Sequence, residues 1–142
     1  MGGYGALRTG LKYHENFGAI AALSAALIIE DTVASSNNGT EIINRRSYLE
    51  SVFGDLDNLI GSDNDPKALI ASLRKVGAKI PEIYLCCGTE DFLIENNRRF
   101  RKFLMEQDIK HTYVEGAGAH TWEFWDEYIL KVLNWLEGGM KK

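Results

Sequence analysis

The sequence predicts an α/β fold with about three parallel strands and flanking helices. Three observations predict it. Short apolar runs of strand length stand at 17–24, 82–87 and 111–116. Segments with apolar residues at helical spacing lie between and after them, at 66–76, 94–107 and 121–136. At least one helix also carries explicit start and stop residues. Strands that alternate with helices are joined by right-handed crossovers and run parallel.

The elements follow in order. Residues 3–15 read as a helix entered through the glycines of "MGGYGALRTG". "FGAIAALS" (17–24) is apolar, short and bounded by polar residues, as a buried strand requires. A long mixed stretch then runs to about 65, a cap-like excursion over 28–65. It holds the loop "SSNNGT" and a short helix in "SYLESVFGD", with Ser47 as the expected N-cap and Glu50 three residues on. "PKALIASLRKV" (66–76) has Asp65 as cap, Pro66 at its first position and Gly77 past its end. Pro81 precedes a buried strand at 82–87, "IENNRRFRKFLMEQ" is a second clear helix, and "HTYVEG" (111–116) is a strand. From 121 to 136, Trp122, Trp125, Ile129, Val132, Leu133 and Leu136 form an apolar stripe that ends before Gly138-Gly139. An all-parallel sheet is covered on both faces and rarely stands as three strands, so the pattern lacks a strand ahead of Gly2.

Composition narrows the function classes. With 142 residues, 45% hydrophobic and 25% charged, the chain suits one globular domain, 1–142. A net charge of −4 argues against nucleic acid or an acidic membrane surface, since phosphate binding needs clustered Lys and Arg. The basic run "RRFRK" (98–102) follows helical spacing and reads as a solvated helix face. No apolar run approaches the roughly 18 residues of a membrane span. Neither a signal peptide nor a myristoylation pattern is evident, because Ala6 stands where the latter wants Ser or Thr. Cys86 and Cys87 are neighbours in a strand, which makes them buried free thiols of a reducing, cytoplasmic compartment.

Chemistry in open parallel sheets gathers beyond the carboxyl ends of the strands. The run to Cys87 leads into "GTEDF", which puts Glu90 and Asp91 on that rim. The run to Glu115 leads into "GAGAHTWEFW", which puts His120 there too. A carboxylate and an imidazole on adjacent strand ends are an orienter and a general base awaiting a nucleophile. The bland readings stay beside this one: Asp91 as a helix cap, His120 as a first-turn residue with no duty. His14 lies near a helix end, and His111 opens a strand at the opposite end of the sheet. Gly3-Tyr4-Gly5 begins a dinucleotide fingerprint, but Arg8 fills the third glycine position. "DNDP" and "DLDN" lack the pattern of a calcium loop, and Cys and His lack zinc spacing, so no cofactor and no metal is expected.

Four stretches carry a resemblance: "MGGYGA", "SVFGDLDNLIGSDNDP", "LCCGTEDFLIENNRRF" and "GAHTWEFWDEYILKVLNWL". They span nearly the whole chain. The sequence resembles the α/β-hydrolase fold, and within it the esterase D-like group that includes S-formylglutathione hydrolase, tributyrin esterase and feruloyl esterases. "MGGYGA" looks like the downstream half of a nucleophile elbow, with Met1 and Gly2 in the last two positions of G-x-S-x-G.

The resemblance implies a partial α/β-hydrolase fold and a serine carboxylesterase acting on short-chain acyl esters. Its triad runs Ser, Asp, His, and Asp91 then His120 obey that order. It further implies that Met1 offers an oxyanion N–H and that Gly2 and Gly3 must be small. The pocket of the family falls in the excursion, where Tyr48 and Phe53 are lining candidates, as is Trp122 beyond it. Core packing is an equal reading for the excursion residues. The serine itself would stand just before Met1, so this stretch is expected to be a C-terminal portion, close to inactive alone. Ser24 ends a strand on the correct rim but lacks an elbow. The strand 17–24 would then expose an edge and pair with a second copy. The rival is a non-enzymatic α/β interaction module using that edge. A peptidase of the same fold also stays open, since a triad does not separate esters from amides.

Overall fold

A computed structural model describes residues 1–38 and 41–140 of the chain. Three strands occur among them: β1 (Ala19–Leu23), β2 (Glu82–Gly88) and β3 (His111–Gly116). Their order in the sheet is β1-β2-β3, and both pairings are parallel, with Ala19 opposite Glu82 and Ile83 opposite His111. The helices are α1 (Gly2–Lys12), α2 (Ile29–Val33), α3 (Arg46–Phe53), α4 (Pro66–Lys75), α5 (Ile94–Glu106) and α6 (Trp122–Met140). The chain divides into a sheet unit, residues 1–27 with 81–142, and a second unit, residues 28–80.

In the sheet unit the central strand decides the packing. From Ile83 onward β2 is buried on both faces, the continuous apolar run expected of a covered parallel strand. Period-two alternation sends Tyr84 and Cys86 to one face, where Phe124, Tyr128 and Val132 of α6 meet them. Ile83, Leu85 and Cys87 take the other face. α5 packs on β2, and α1 packs on β1. Gly10 lies so close to the Ile20 side chain that a Cβ there would collide with it, which explains a glycine in mid-helix. The predicted strand 17–24 is shorter, Ala19–Leu23, with the Gly18 carbonyl accepting from Glu82 N–H just ahead of it and Ser24 at φ +46° just after it. The predicted helix 3–15 ends at Lys12, and His14 falls in a following 3-10 turn, His14–Asn16. His111 opens β3, at the far end from Gly88 and Gly116.

In the second unit, α4 starts as its residues require. The Asp65 carboxylate accepts from Lys67 N–H at 2.9 Å, and Pro66 has no N–H to satisfy. The expected cap at Ser47 is corrected: Arg45 occupies the N-cap position, and Ser47 lies within α3. Its N–H donates instead to Asn37 Oδ1 at 2.9 Å, so a loop carboxamide ten residues upstream caps the helix. Glu50 pairs with Arg46 rather than closing a capping box. Lys67 also pairs with Glu30.

Candidate active site

The site grows from the ends of the three strands. After β2, the chain turns through Thr89 and Glu90 into Asp91; after β3, it turns through Gly118 into His120. Backbone bonds stitch these two turns together. Thr89 N–H donates to Gly116 O at 2.8 Å and Glu90 N–H to Gly118 O at 3.1 Å. The Glu90 carboxylate accepts in return from Gly118 N–H, which holds that carboxyl below its usual range. Gly88 and Gly118 meet backbone to backbone, leaving no room for a Cβ at Gly88. Gly118 has φ of +132°, a conformation that favours glycine. These glycines bring the Asp91 and His120 turns together.

Asp91 and His120 meet directly. His120 Nδ1 donates to Asp91 Oδ2 at 2.9 Å, across 29 residues of sequence. A carboxylate can only accept, so the proton lies on Nδ1 and the other ring nitrogen is left as an acceptor while the imidazole is neutral. Asp91 also fulfils the bland reading, since its second oxygen accepts from Leu93 N–H at 2.9 Å ahead of α5. One carboxylate thus serves a helix start and an imidazole at once. Its side chain is fully buried, whereas that of His120 is 26% exposed. Burial alone would raise the Asp91 pKa; hydrogen bonds from Leu93 N–H, the Ser24 side chain and His120 outweigh it and hold the carboxyl below the ordinary range.

Aromatic rings bracket the imidazole. Phe92 lies 4.9 Å from the His120 ring, and Trp125 meets it edge-on at the same distance. Trp122, 80% exposed, lies 5.2 Å from Trp125. Burial also pushes the neighbouring Cys87 thiol up to about 12, and that of Cys86 likewise, which keeps both as neutral thiols.

The remaining expected residues are placed as follows. Met1 caps α1, its carbonyl accepting from Gly5 N–H at 2.9 Å. Gly3 is tight: an added Cβ would press on the Leu23 carbonyl and on Ala25, so the small residue is required there. Gly2 differs, for no atom of the described chain lies within 4 Å of its would-be Cβ. Tyr48, half-exposed, and Phe53 both lie on α3 of the second unit. Three features lay beyond the sequence reading. Ser24 is 1% exposed, Trp125 was visible only as part of an apolar stripe, and Asn97 donates to both Ala25 O and Leu93 O at 2.9 Å. Asn97 thereby ties the turn after β1 to the turn after β2. A polar residue on the inner stripe of "IENNRRF" was the one available signal for it.

Among the described residues, no helix is long and apolar enough to cross a membrane, and no cluster of His, Cys, Asp and Glu has the form of a metal site. Comparison with known proteins identifies the family and the fold. The model of the Esterase family matches residues 1–136. An acetyl esterase of Caldicellulosiruptor saccharolyticus is 45% identical over 136 residues, covering 96% of this chain and 51% of that protein. An S-formylglutathione hydrolase of Staphylococcus aureus superposes with a TM-score of 0.78 at 26% identity, over 95% of this chain and 50% of its own. A fluorophosphonate-binding serine hydrolase of the same organism gives 0.79 at 25%, over 94% and 50%. The chain therefore spans about half the length of these relatives. With a parallel sheet flanked by helices and a family match over nearly its full length, the chain belongs to the esterase family of the α/β-hydrolase fold.

Proposed function

We propose that these 142 residues supply the aspartate and histidine of a Ser-Asp-His triad in a serine carboxylesterase acting on short-chain acyl esters. The observation that carries this is the 2.9 Å bond from His120 Nδ1 to a buried Asp91, on adjacent parallel strand ends. Asp91 fixes the tautomer and orientation of the ring and stabilises the imidazolium when it forms. The His120 Nε2 takes the proton of a serine hydroxyl as the oxygen bonds the ester carbonyl carbon. The resulting oxyanion is held by backbone N–H groups, one of them at Met1. Collapse of that intermediate expels the alcohol, which takes the proton from His120. Water then repeats the sequence on the acyl-enzyme. No serine of these 142 residues stands in a G-x-S-x-G elbow, so the chain alone is expected to be close to inactive. Within the sheet unit, exposed Trp122 beside Trp125 is the proposed substrate contact. The two neutral buried thiols fit a reducing cytoplasm.

The test is an assay of the 142-residue chain with short-chain aryl esters. Negligible turnover is expected. Turnover abolished by a serine-directed phosphonate would overturn the assignment of the nucleophile. A second measurement is the genomic reading frame just upstream of Met1, where an in-frame glycine and serine codon is expected and a stop codon would favour a free-standing module.

A specific feature favours a further role for the sheet edge. Among the described residues β1 pairs only with β2. A cleft of about 210 Å³ (Ala6, Thr9, Gly10, Phe17) lies beside β1, and one of about 320 Å³ (Gly18, Glu82, Trp135, Leu136) lies where β1 and β2 begin beside α6. We infer that this edge pairs with a second copy of the chain, its backbone groups adding a strand and the clefts receiving flanking side chains. It is also the surface a non-enzymatic interaction module would use. Light scattering is expected to show a dimer, and a strict monomer at high concentration would refute the pairing.

A further inference from the structure

Ser24 stands where a glycine would be easier. It ends β1 with its N–H on Cys86 O at 2.8 Å, and its φ is +46°, in the left-handed region that L side chains rarely adopt. A serine kept there, 1% exposed, calls for a use of the hydroxyl. The hydroxyl has partners on two sides. Its oxygen accepts from Trp125 Nε1–H at 3.1 Å, across 101 residues of sequence. The Asp91 carboxylate and the Cys87 thiol both lie within reach of it, and the contact with Asp91 favours the charged carboxylate. Trp125 in turn presents its ring edge-on to His120 at 4.9 Å and 90°.

The four side chains form a closed cycle. Ser24 meets Asp91, Asp91 meets His120, His120 meets Trp125, and Trp125 returns to Ser24. Each comes from a different part of the sheet unit: the end of β1, the turn after β2, the turn after β3, and α6. We propose that Ser24 and Trp125 are positioning residues for the Asp91–His120 pair, Ser24 holding the carboxylate directly and the imidazole through the Trp125 ring. This rests on the triad reading above and deepens it. Ser24 is 1% exposed and its oxygen already accepts from Trp125, so it is no nucleophile. The Cys87 thiol also lies beside both Ser24 and Asp91.

The experiment reads the ring directly and needs no turnover. In the 142-residue chain, nitrogen-resolved proton NMR follows the His120 Nδ1–H resonance and its exchange with solvent. Three variants separate the roles. Ser24→Ala removes the hydroxyl and keeps the backbone strain; Ser24→Gly removes the hydroxyl and relieves it; Trp125→Phe keeps a ring and removes the donor. Both Ser24 variants are expected to speed Nδ1–H exchange roughly tenfold, the factor that about one hydrogen bond of restraint corresponds to. Trp125→Phe should give a smaller increase. A Ser24→Gly chain with wild-type exchange would reduce Ser24 to a turn residue and overturn the proposal. So would wild-type exchange in Trp125→Phe, for the arm that runs through Trp125. Should Ser24→Ala fail to fold, Ser24→Gly still decides, since its backbone is the less strained. A wild-type chain with no protected Nδ1–H would instead defeat the triad reading itself, and is distinguishable for that reason.

Discussion

The two units of the chain hold their polar groups in opposite ways. In the sheet unit the decisive polar contacts are buried or partly buried and join residues far apart in sequence: Asp91 to His120 across 29 residues, Asn97 to Ala25 across 72, Trp125 to Ser24 across 101. In residues 28–80 most are exposed and local: Arg46 to Glu50 and Asp57, Ser47 to Asn37, Asp55 to Asn58. A buried bond between distant residues exists only when the whole fold has formed, and leaving either partner unpaired is costly. An exposed local pair forms and dissolves with its own segment and competes with water throughout. The sheet unit is therefore built to fix geometry, and residues 28–80 have no comparable demand.

The largest expected effect tests this contrast in the apolar interior. Leu85, fully buried at the centre of β2, is expected to lose about 2–5 kcal/mol of stability on Leu85→Ala. Val52→Ala on α3, at a side chain 48% exposed, should stay within about 0.5 kcal/mol. Urea denaturation measures both. Equal losses would break the comparison.

Next comes Asp91, where the contrast has a pH signature. Its carboxyl is held below the ordinary range, so the folded state favours the ionised form more than the unfolded chain does. That stability is fully present above the unfolded pKa of about 4 and is lost as pH falls through the lower folded value. Asp91→Asn is expected to cost on the order of 1–3 kcal/mol near neutral pH, the range for a bond involving a buried charge. The gap between the two proteins should begin to narrow at about pH 4 and close once pH has fallen through the lower folded value. A gap independent of pH would mean that shape, not charge, is what Asp91 contributes.

The same contrast explains what was legible in the sequence. The α4 start was readable because Asp65, Pro66 and the first apolar residues are neighbours, and the cap needs nothing else. Asp91 and His120 were readable because position past a strand end and residue type suffice to nominate them. Ser47 misled, since the group that caps α3 is a loop carboxamide that no local pattern announces. The Ser24–Trp125 bond was beyond reach for a stronger reason: nothing near either residue signals the other. Ser24 looked like the end of a strand and Trp125 like a stripe member, and both descriptions are correct but incomplete. Gly3 was expected to be small and is crowded by the backbone after β1, while Gly2 is not. Local grammar names elements and strand-end residues; the contacts that orient them belong to the tertiary fold.

The smallest effect sharpens the comparison within residues 28–80. Asp65 is nearly buried there, its two oxygens accepting from Lys67 N–H at 2.9 Å and Gly61 N–H at 3.1 Å. Asp65→Ala takes this acceptor from the helix-start N–H of Lys67 and the loop N–H of Gly61 and should cost about 1 kcal/mol. Arg46 makes two good ion pairs, to Glu50 at 2.9 Å and Asp57 at 2.6 Å, yet both carboxylates stand largely in solvent. Water and salt compete for each of these charges, and two long side chains must be ordered to make the pairs. Arg46→Ala is therefore expected to lower the thermal midpoint less than Asp65→Ala, and the difference from wild type should vanish at about 1 M salt, where charges are screened within a few ångströms. The Asp65→Ala loss should persist in that salt, because its bonds run to uncharged backbone N–H groups rather than to a second ion. If the Arg46 loss were equal and salt-resistant, the pairs around α3 would be acting as a fixed network, and the distinction between a geometry-fixing sheet unit and a locally held second unit would fail at its weakest point.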